Sequence, residues 1–226
     1  MMFEDIKINI KKHNRKTLSI YIERDGSVSV LAPQNLSDAE IQEVIQTKEY
    51  QIYKYLAEWK EMNESKINRT FVNGQSYLYL GRNYRLEIVK ELSLPLMLKQ
   101  GYFLLREKDK LKAREHFISF YKEKGLLKIT DKIIIFQKWM GVHPNKVRII
   151  DLKNRWGSCS NNCNLNFHWK CAMASIDVLT YIVVHELAHL KNKRHSQAFW
   201  NEVDKILPNY QNQIEWLKLN GASLDI

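Results

Sequence analysis

The sequence predicts an α+β fold in two parts: a mostly β N-terminal part with one long helix over residues 1–107, and a second α+β part over residues 108–226. Three observations carry this reading. Runs with period-two alternation of apolar and polar residues crowd the first part, at 3–32 and again at 69–106. Two stretches of helical length follow, at 108 to about 141 and at 175–191. Between those stretches, 146–150, 155–160 and 164–167 again read as strands, so a small sheet has helices to pack against.

In order, IKINI, TLSIYIE and SVSVLAP read as antiparallel strands, with Arg24, Asp25 and Gly26 as a hairpin turn. Asn35 or Ser37 then caps a helix. Ser37 with Glu40 three residues on forms a capping box, and the repeat of Ile41, Val44, Ile45, Ile52, Tyr55, Leu56 and Trp59 carries the helix to about residue 62. A second strand cluster, RTFVNG, SYLYLG, YRLEIV and residues 102–106, has glycines 74 and 81 at its turns. Phe71, Tyr77, Tyr79 and Tyr84 could offer a base-stacking platform, but alternating strand aromatics read as core. The helical stretch from 108 is expected to break or kink near Gly125. After the small sheet and the helix at 175–191, a helix from about 196 to 207 stops at Pro208, and a short helix with Ile214, Trp216 and Leu217 closes the chain.

Apolar residues make up 45% of the 226 residues and charged ones 27%, which is ordinary for a soluble globular chain with a substantial core. The start, MMFEDIKINIKKHNRK, lacks the apolar region of a signal peptide, and no stretch reaches bilayer-spanning length, so a cytoplasmic location is expected. Three cysteines cannot all pair. Cys159 and Cys163 stand four apart without a second Cys or His pair to complete a structural zinc site, and they read as small buried residues, as does Cys171. The net charge of +10 would attract polyanions, yet lysines alternate with acids in EKDKLKAREHF, as on a solvated helix face.

The chemistry is concentrated in VVHELAHLKNKRHSQAFW. His185 and His189 are four apart, so on a helix they project from one face and can grip a single ion, with Glu186 between them. Ile176, Leu179, Ile182, Val183, Leu187 and Leu190 supply the broad apolar stripe of a buried helix. The three polar residues interrupt that apolar run, which would be costly without a purpose. His195 follows a polar run, 191–194, that stops the helix and returns the chain, so it can approach as a third ligand. Three protein ligands leave one position open, the arrangement of a catalytic zinc. Glu186 is then placed as general base. Asp177, Glu202, Asp204 and backbone carbonyls are the candidates to orient the histidine rings. Arg155, Tyr181 and Tyr210 are the candidates to stabilise charge in the transition state.

Together, RWGSCS at 155–160, NLNF at 164–167, IDVLTYIVVHELAHL and HSQAFW resemble the YgjP-like family of predicted zinc metallopeptidases, relatives of the SprT and Wss1 peptidases and of the wider zincin group. DGSVSVLAP and YLGRNYRLEI extend the resemblance over nearly the whole chain. It implies a zincin-like fold, an antiparallel sheet packed on the helix of His185 and His189, with His195 as third ligand and the WGSC segment near the cleft. Family members often carry glycine where Cys163 stands, and a proline soon after the position of Ala174; this chain departs at both.

The resemblance implies a zinc metallopeptidase acting on a peptide or protein. Some members are similar to a protein described as a UTP pyrophosphatase, so a nucleotide is the alternative substrate. Against it, triphosphate enzymes favour magnesium on carboxylates, and GRNYR lacks the glycines and lysine of a phosphate loop. A third reading makes the N-terminal β part a tether to nucleic acid. No membrane partner is expected.

Overall fold

The computed structural model describes residues 2–3, 6–23, 26–63, 69–152 and 155–226. They form two compact units, Met1–Lys66 and Ile67–Ile226. The division expected near residue 107 therefore lies at 66–67.

The first unit carries β1 (Met2–Phe3), β2 (Ile6–His13), β3 (Ser19–Ile22) and β4 (Val28–Pro33), in the order β1-β2-β4-β3. The expected all-antiparallel arrangement is corrected here: β4 lies between β2 and β3, antiparallel to β3 but parallel to β2, from Ile8 opposite Val28 to His13 opposite Pro33. Alternation reports which face a side chain takes, not which strand is its neighbour. The central place goes to the most apolar strand, with Val28, Val30 and Ala32 wholly buried. Of the expected turn, Gly26 has φ 81° and donates to Glu23 O at 3.0 Å; Arg24 and Asp25 lie outside the described residues. The helix also divides, into α1 (Asp38–Thr47) and α2 (Glu49–Asn63), at Lys48. Ser37 and Glu40 form the expected capping box. Ile41, Ile45 and Ile52 close over Ile8, Val28 and Val30.

The second unit opens with β5 (Ser76–Tyr79), β6 (Arg82–Val89), β7 (Leu96–Lys99) and β8 (Tyr102–Arg106), in the order β5-β6-β8-β7. RTFVNG forms no strand, whereas β7 was not anticipated. Its hairpin turns on Gln100–Gly101 and that of β5 and β6 on Leu80–Gly81, with positive φ at all four residues. Such turns match the strand twist, but Gln-Gly and Leu-Gly are weaker signals than Asn-Gly. The strand aromatics are core: Tyr77 and Phe103 are wholly buried against Phe117, and Tyr121 donates to Leu78 O at 2.7 Å.

Phe117, Phe120 and Tyr121 belong to α3 (Ala113–Met140), which follows a 3₁₀ turn at Glu107–Lys112. It runs unbroken through Gly125, contrary to expectation. A Cβ there would stand 3.1 Å from both Ala172 Cβ and Ile149 Cδ1, so the glycine serves close packing and not a kink. Gly141, at φ 62°, ends the helix.

β9 (Lys146–Ile150), β10 (Gly157–Cys159) and β11 (Asn164–His168) form the small sheet, in the order β10-β11-β9. It is mixed and not antiparallel: the local β10–β11 hairpin is antiparallel, while β9 joins the far edge of β11 in parallel. A 3₁₀ turn at Trp169–Met173 leads into α4 (Ile176–Ala188), capped by Ser175. Then come α5 (Gln197–Ile206), capped by Ser196, and α6 (Tyr210–Asn220). No helix among the described residues is long and apolar enough to cross a membrane.

Candidate metal centre

Helix α4 is buried on almost every side, against α3, α5, α6 and β10. Val178, Leu179, Ile182, Val183, Val184, Leu187 and Ala188 supply that apolar surface. Such a setting tolerates polar residues only where they have partners. His185 projects from the last turn of α4 and His189 from its C-cap, where φ −66° and ψ −16° continue the helical path. The polar run after Ala188 then turns the chain, and Ser196 starts α5.

The turn brings His195 back to the other two histidines. His195 Nε2 lies 3.0 Å from His185 Nε2, and one ligand atom from each of the three residues falls within a 4.8 Å span. Phe199, wholly buried, packs against all three rings at centroid distances of 4.6–4.9 Å. Among the described residues these three form a group able to hold a metal, and no cysteine joins one.

The outward ring nitrogens are engaged. His189 Nδ1 lies 3.1 Å from Asn192 O, and a carbonyl can only accept, so that nitrogen carries the proton and Nε2 keeps its lone pair. Tyr181 places its hydroxyl 3.3 Å from His185 Nδ1. Burial, then the neighbouring His189 and His195, depress the His185 pKa to about 3. Burial lowers His189 as well. Both are therefore neutral imidazoles at neutral pH, the form that ligates a metal.

Glu186 is 5% exposed, and its Oε2 is buried without a hydrogen-bond partner. Burial pushes its pKa up to about 8, opposed by the positive charge of Arg155. Its place depends on Gly157, the first residue of β10: a Cβ there would stand 2.5 Å from Glu186 Oε1. Three converging imidazoles fit a divalent ion that prefers nitrogen ligands, such as zinc, better than magnesium.

The other candidates are distributed differently. Tyr181 reaches a histidine ring, while Tyr210 is buried and stacks between Tyr181 and Trp200. Arg155 is exposed, with its charge felt at Glu186. Asp177 and Asp204 are exposed, and Glu202 is held by Lys191 at 2.8 Å and Lys205 at 2.9 Å. The Tyr181 hydroxyl and the Asn192 carbonyl, and none of these acids, lie against the outward nitrogens of His185 and His189. Phe199 and Trp200 were legible only as the FW of the HSQAFW segment, and Gly157 only as the glycine of WGSC. Cys171 is buried and donates to Trp156 O at 3.3 Å, whereas Cys159 and Cys163 are half-buried. Lys193 lies 3.6 Å from Cys159 Sγ.

The family described as "YgjP-like, metallopeptidase domain" matches residues 16–220. No curated protein matches. Among solved structures, the metallopeptidase zymogen of Pyrococcus abyssi abylysin is 27% identical, over 41% of this chain and 95% of that one, with a TM-score of 0.38.

Proposed function

The chain belongs to the YgjP-like metallopeptidase family, and from that premise we propose that it is a zinc-dependent peptidase with a zincin-like second unit. His185, His189 and His195 are the proposed ligands and Glu186 the general base. The observation that carries this is the convergence of three histidine nitrogens, with the buried, partnerless Oε2 of Glu186 on the residue next to His185 in the same helix. Zinc held there would supply Lewis acidity, making water a better nucleophile at neutral pH and drawing electron density from a carbonyl.

The residues of the chain do the rest. Glu186 accepts the proton that the attacking water gives up and hands it to the leaving amine; its Oε2 has no competing partner. Its ionised form would be favoured, against the burial that raises its pKa, by the positive charge of an ion held at the histidines. Arg155, whose positive charge opposes the raised pKa of Glu186, is the cationic candidate to oppose charge on the tetrahedral species. Strand β10 ends its sheet, and its Gly157 faces Glu186, so an extended peptide can add along the open edge.

No specific observation favours the other readings. The nitrogen donor set suits amide hydrolysis more than magnesium-dependent triphosphate cleavage. The tether reading places nucleic-acid binding in the N-terminal part, but residues 1–107 are nearly balanced, with 16 Lys and Arg against 14 Asp and Glu. The basic excess lies in residues 108–226, with 19 against 11.

The test is elemental analysis of purified protein with a protease assay on an unfolded protein, for the parent and Glu186→Gln. One zinc per chain in both, with hydrolysis in the parent alone, is expected. Hydrolysis that persists in Glu186→Gln would remove the mechanism, and pyrophosphate release from UTP by the parent alone would move the assignment to nucleotides.

A further inference from the structure

The three histidines are not held alike. His185 and His189 are fixed by the backbone of a buried helix, but His195 is exposed and stands in the segment between α4 and α5. Its ring lies nearly flat on Trp200, with centroids 5.7 Å apart and planes 23° apart. Trp200, from α5, stacks in turn on Tyr210 at 5.2 Å and 11°. Tyr210, the first residue of α6, lies parallel to Tyr181 of α4 at 6.5 Å and 10°. Tyr181 then reaches His185 Nδ1 through its hydroxyl. Since His185 Nε2 stands 3.0 Å from His195 Nε2, the contacts close on themselves. One aromatic column thus joins two candidate ligands from behind, through three helices.

We propose that Tyr210 is a positioning residue for the metal centre, a wedge between Tyr181 and Trp200 that sets the spacing of His185 and His195. The inference rests on the reading of these histidines as ligands. Its physical basis is that α4 and α5 each carry one end of the column, and flat rings resist sliding and closing up more than a branched aliphatic chain does. When His185 Nε2 ligates a metal, Nδ1 carries the proton and donates to the Tyr181 oxygen, fixing the ring at the other end of the column. The Tyr210 contribution lies in its ring plane and not in its hydroxyl. Phenylalanine therefore replaces it, whereas leucine fills much of the space without the plane.

A residue that merely fills the core behaves differently: its loss lowers stability but leaves the coordination of the folded protein unchanged. The experiment uses the full chain as parent, Tyr210→Phe, Tyr210→Leu and Tyr181→Phe, each checked for folding by circular dichroism. Zinc affinity is measured by chelator competition, and ligand geometry by the visible spectrum of the cobalt(II) form. Tyr210→Phe should match the parent. Tyr210→Leu should bind zinc about 10–100-fold more weakly, the range for lost ring-orienting partners, with an altered cobalt spectrum. Tyr181→Phe should weaken zinc in the same direction.

Parent-like affinity and spectrum in folded Tyr210→Leu would overturn the proposal. Should that variant fail to fold, Tyr210→Met, whose flexible chain also fills the space without a ring plane, takes its place, and parent-like behaviour there overturns the proposal equally. A parent that binds no zinc removes the metal reading together with this inference. A parent that binds zinc, but no more tightly than Tyr210→Leu, removes this inference alone.

Discussion

The absent side chain of Gly157 and the carboxylate of Glu186 occupy one place: a Cβ on Gly157 would stand 2.5 Å from Glu186 Oε1 and 2.6 Å from its Cγ. Glycine here is required by the approach of a side chain and not by backbone conformation, because the φ of Gly157 is not positive. The strand edge and the proposed base are thereby brought into direct contact.

Gly157→Ala is accordingly expected to displace Glu186 while sparing the three histidines, which lie outside that contact. The expected outcome is zinc retained at the parent level and peptide hydrolysis reduced by about 100-fold or more, toward the range associated with losing a general base. Steady-state kinetics alongside zinc quantification checks it, and undiminished kcat would show that the carboxylate works from another position.

The motif helix, the capping box and the third histidine were legible because each depends on spacing within a short stretch of chain. Strand neighbours were not, since alternation in IKINI and SVSVLAP fixes their faces and leaves the order β1-β2-β4-β3 open. Of the ring supports, a backbone carbonyl was expected only as a class of partner, and the Tyr181 hydroxyl was not expected in that place. Acids such as Asp177 and Glu202 look like partners on paper, but the outward nitrogens of His185 and His189 meet a tyrosine hydroxyl and a backbone carbonyl. A carbonyl carries no sequence signal. Gly125 misled because glycine marks both kinks and close packing, and only the positions of Ala172 and Ile149 decide between them.

Cys163 stands in the left-handed region, at φ 55°, in the turn between β10 and β11. A residue with a Cβ is strained there by roughly 1–2 kcal/mol, and glycine, which the resemblance places at this position in other members, is not. Part of the gain is offset by the freedom that glycine adds to the unfolded chain. Cys163→Gly should therefore raise stability by up to about 1 kcal/mol in urea unfolding. A clear loss would mean that the half-buried Cys163 side chain matters more than the backbone strain.

Asp225 gives a pH dependence whose sign can be worked out. Burial alone would raise its pKa, but Lys170, at 2.8 Å, outweighs that by hydrogen bond and charge, with help from the Ile226 amide and Arg114, so the carboxyl titrates below its ordinary value. A pKa lower in the folded than in the unfolded chain contributes stability fully above the unfolded value, near 4. That contribution disappears as the pH falls through the folded value. Asp225→Asn should thus cost about 1–2 kcal/mol at pH 7, and the gap to the parent should close as the pH falls below about 4. Thermal melting of both proteins from pH 7 to pH 3 checks this, and a gap independent of pH would assign the cost to packing.

Where the chain can be cut follows from the same core. Phe117 and Tyr121 of α3 are wholly buried, and their ring neighbours include Tyr77 and Phe103, which lie before residue 107. A fragment of residues 108–226 would expose these aromatics, and each large side chain so uncovered forfeits roughly 1.5–3 kcal/mol. Against the marginal stability of a domain, a few such losses suffice to unfold it. Residues 67–226 keep the rings, the strands β5 to β8 and the three histidines together in one compact unit. That fragment should fold alone, melt cooperatively and bind one zinc, whereas 108–226 should be insoluble or lack a cooperative transition. Circular dichroism melts and zinc quantification on both fragments decide the matter, and a well-folded, zinc-binding 108–226 would show that the strand cluster is an accessory to the metal-bearing core and not a part of it.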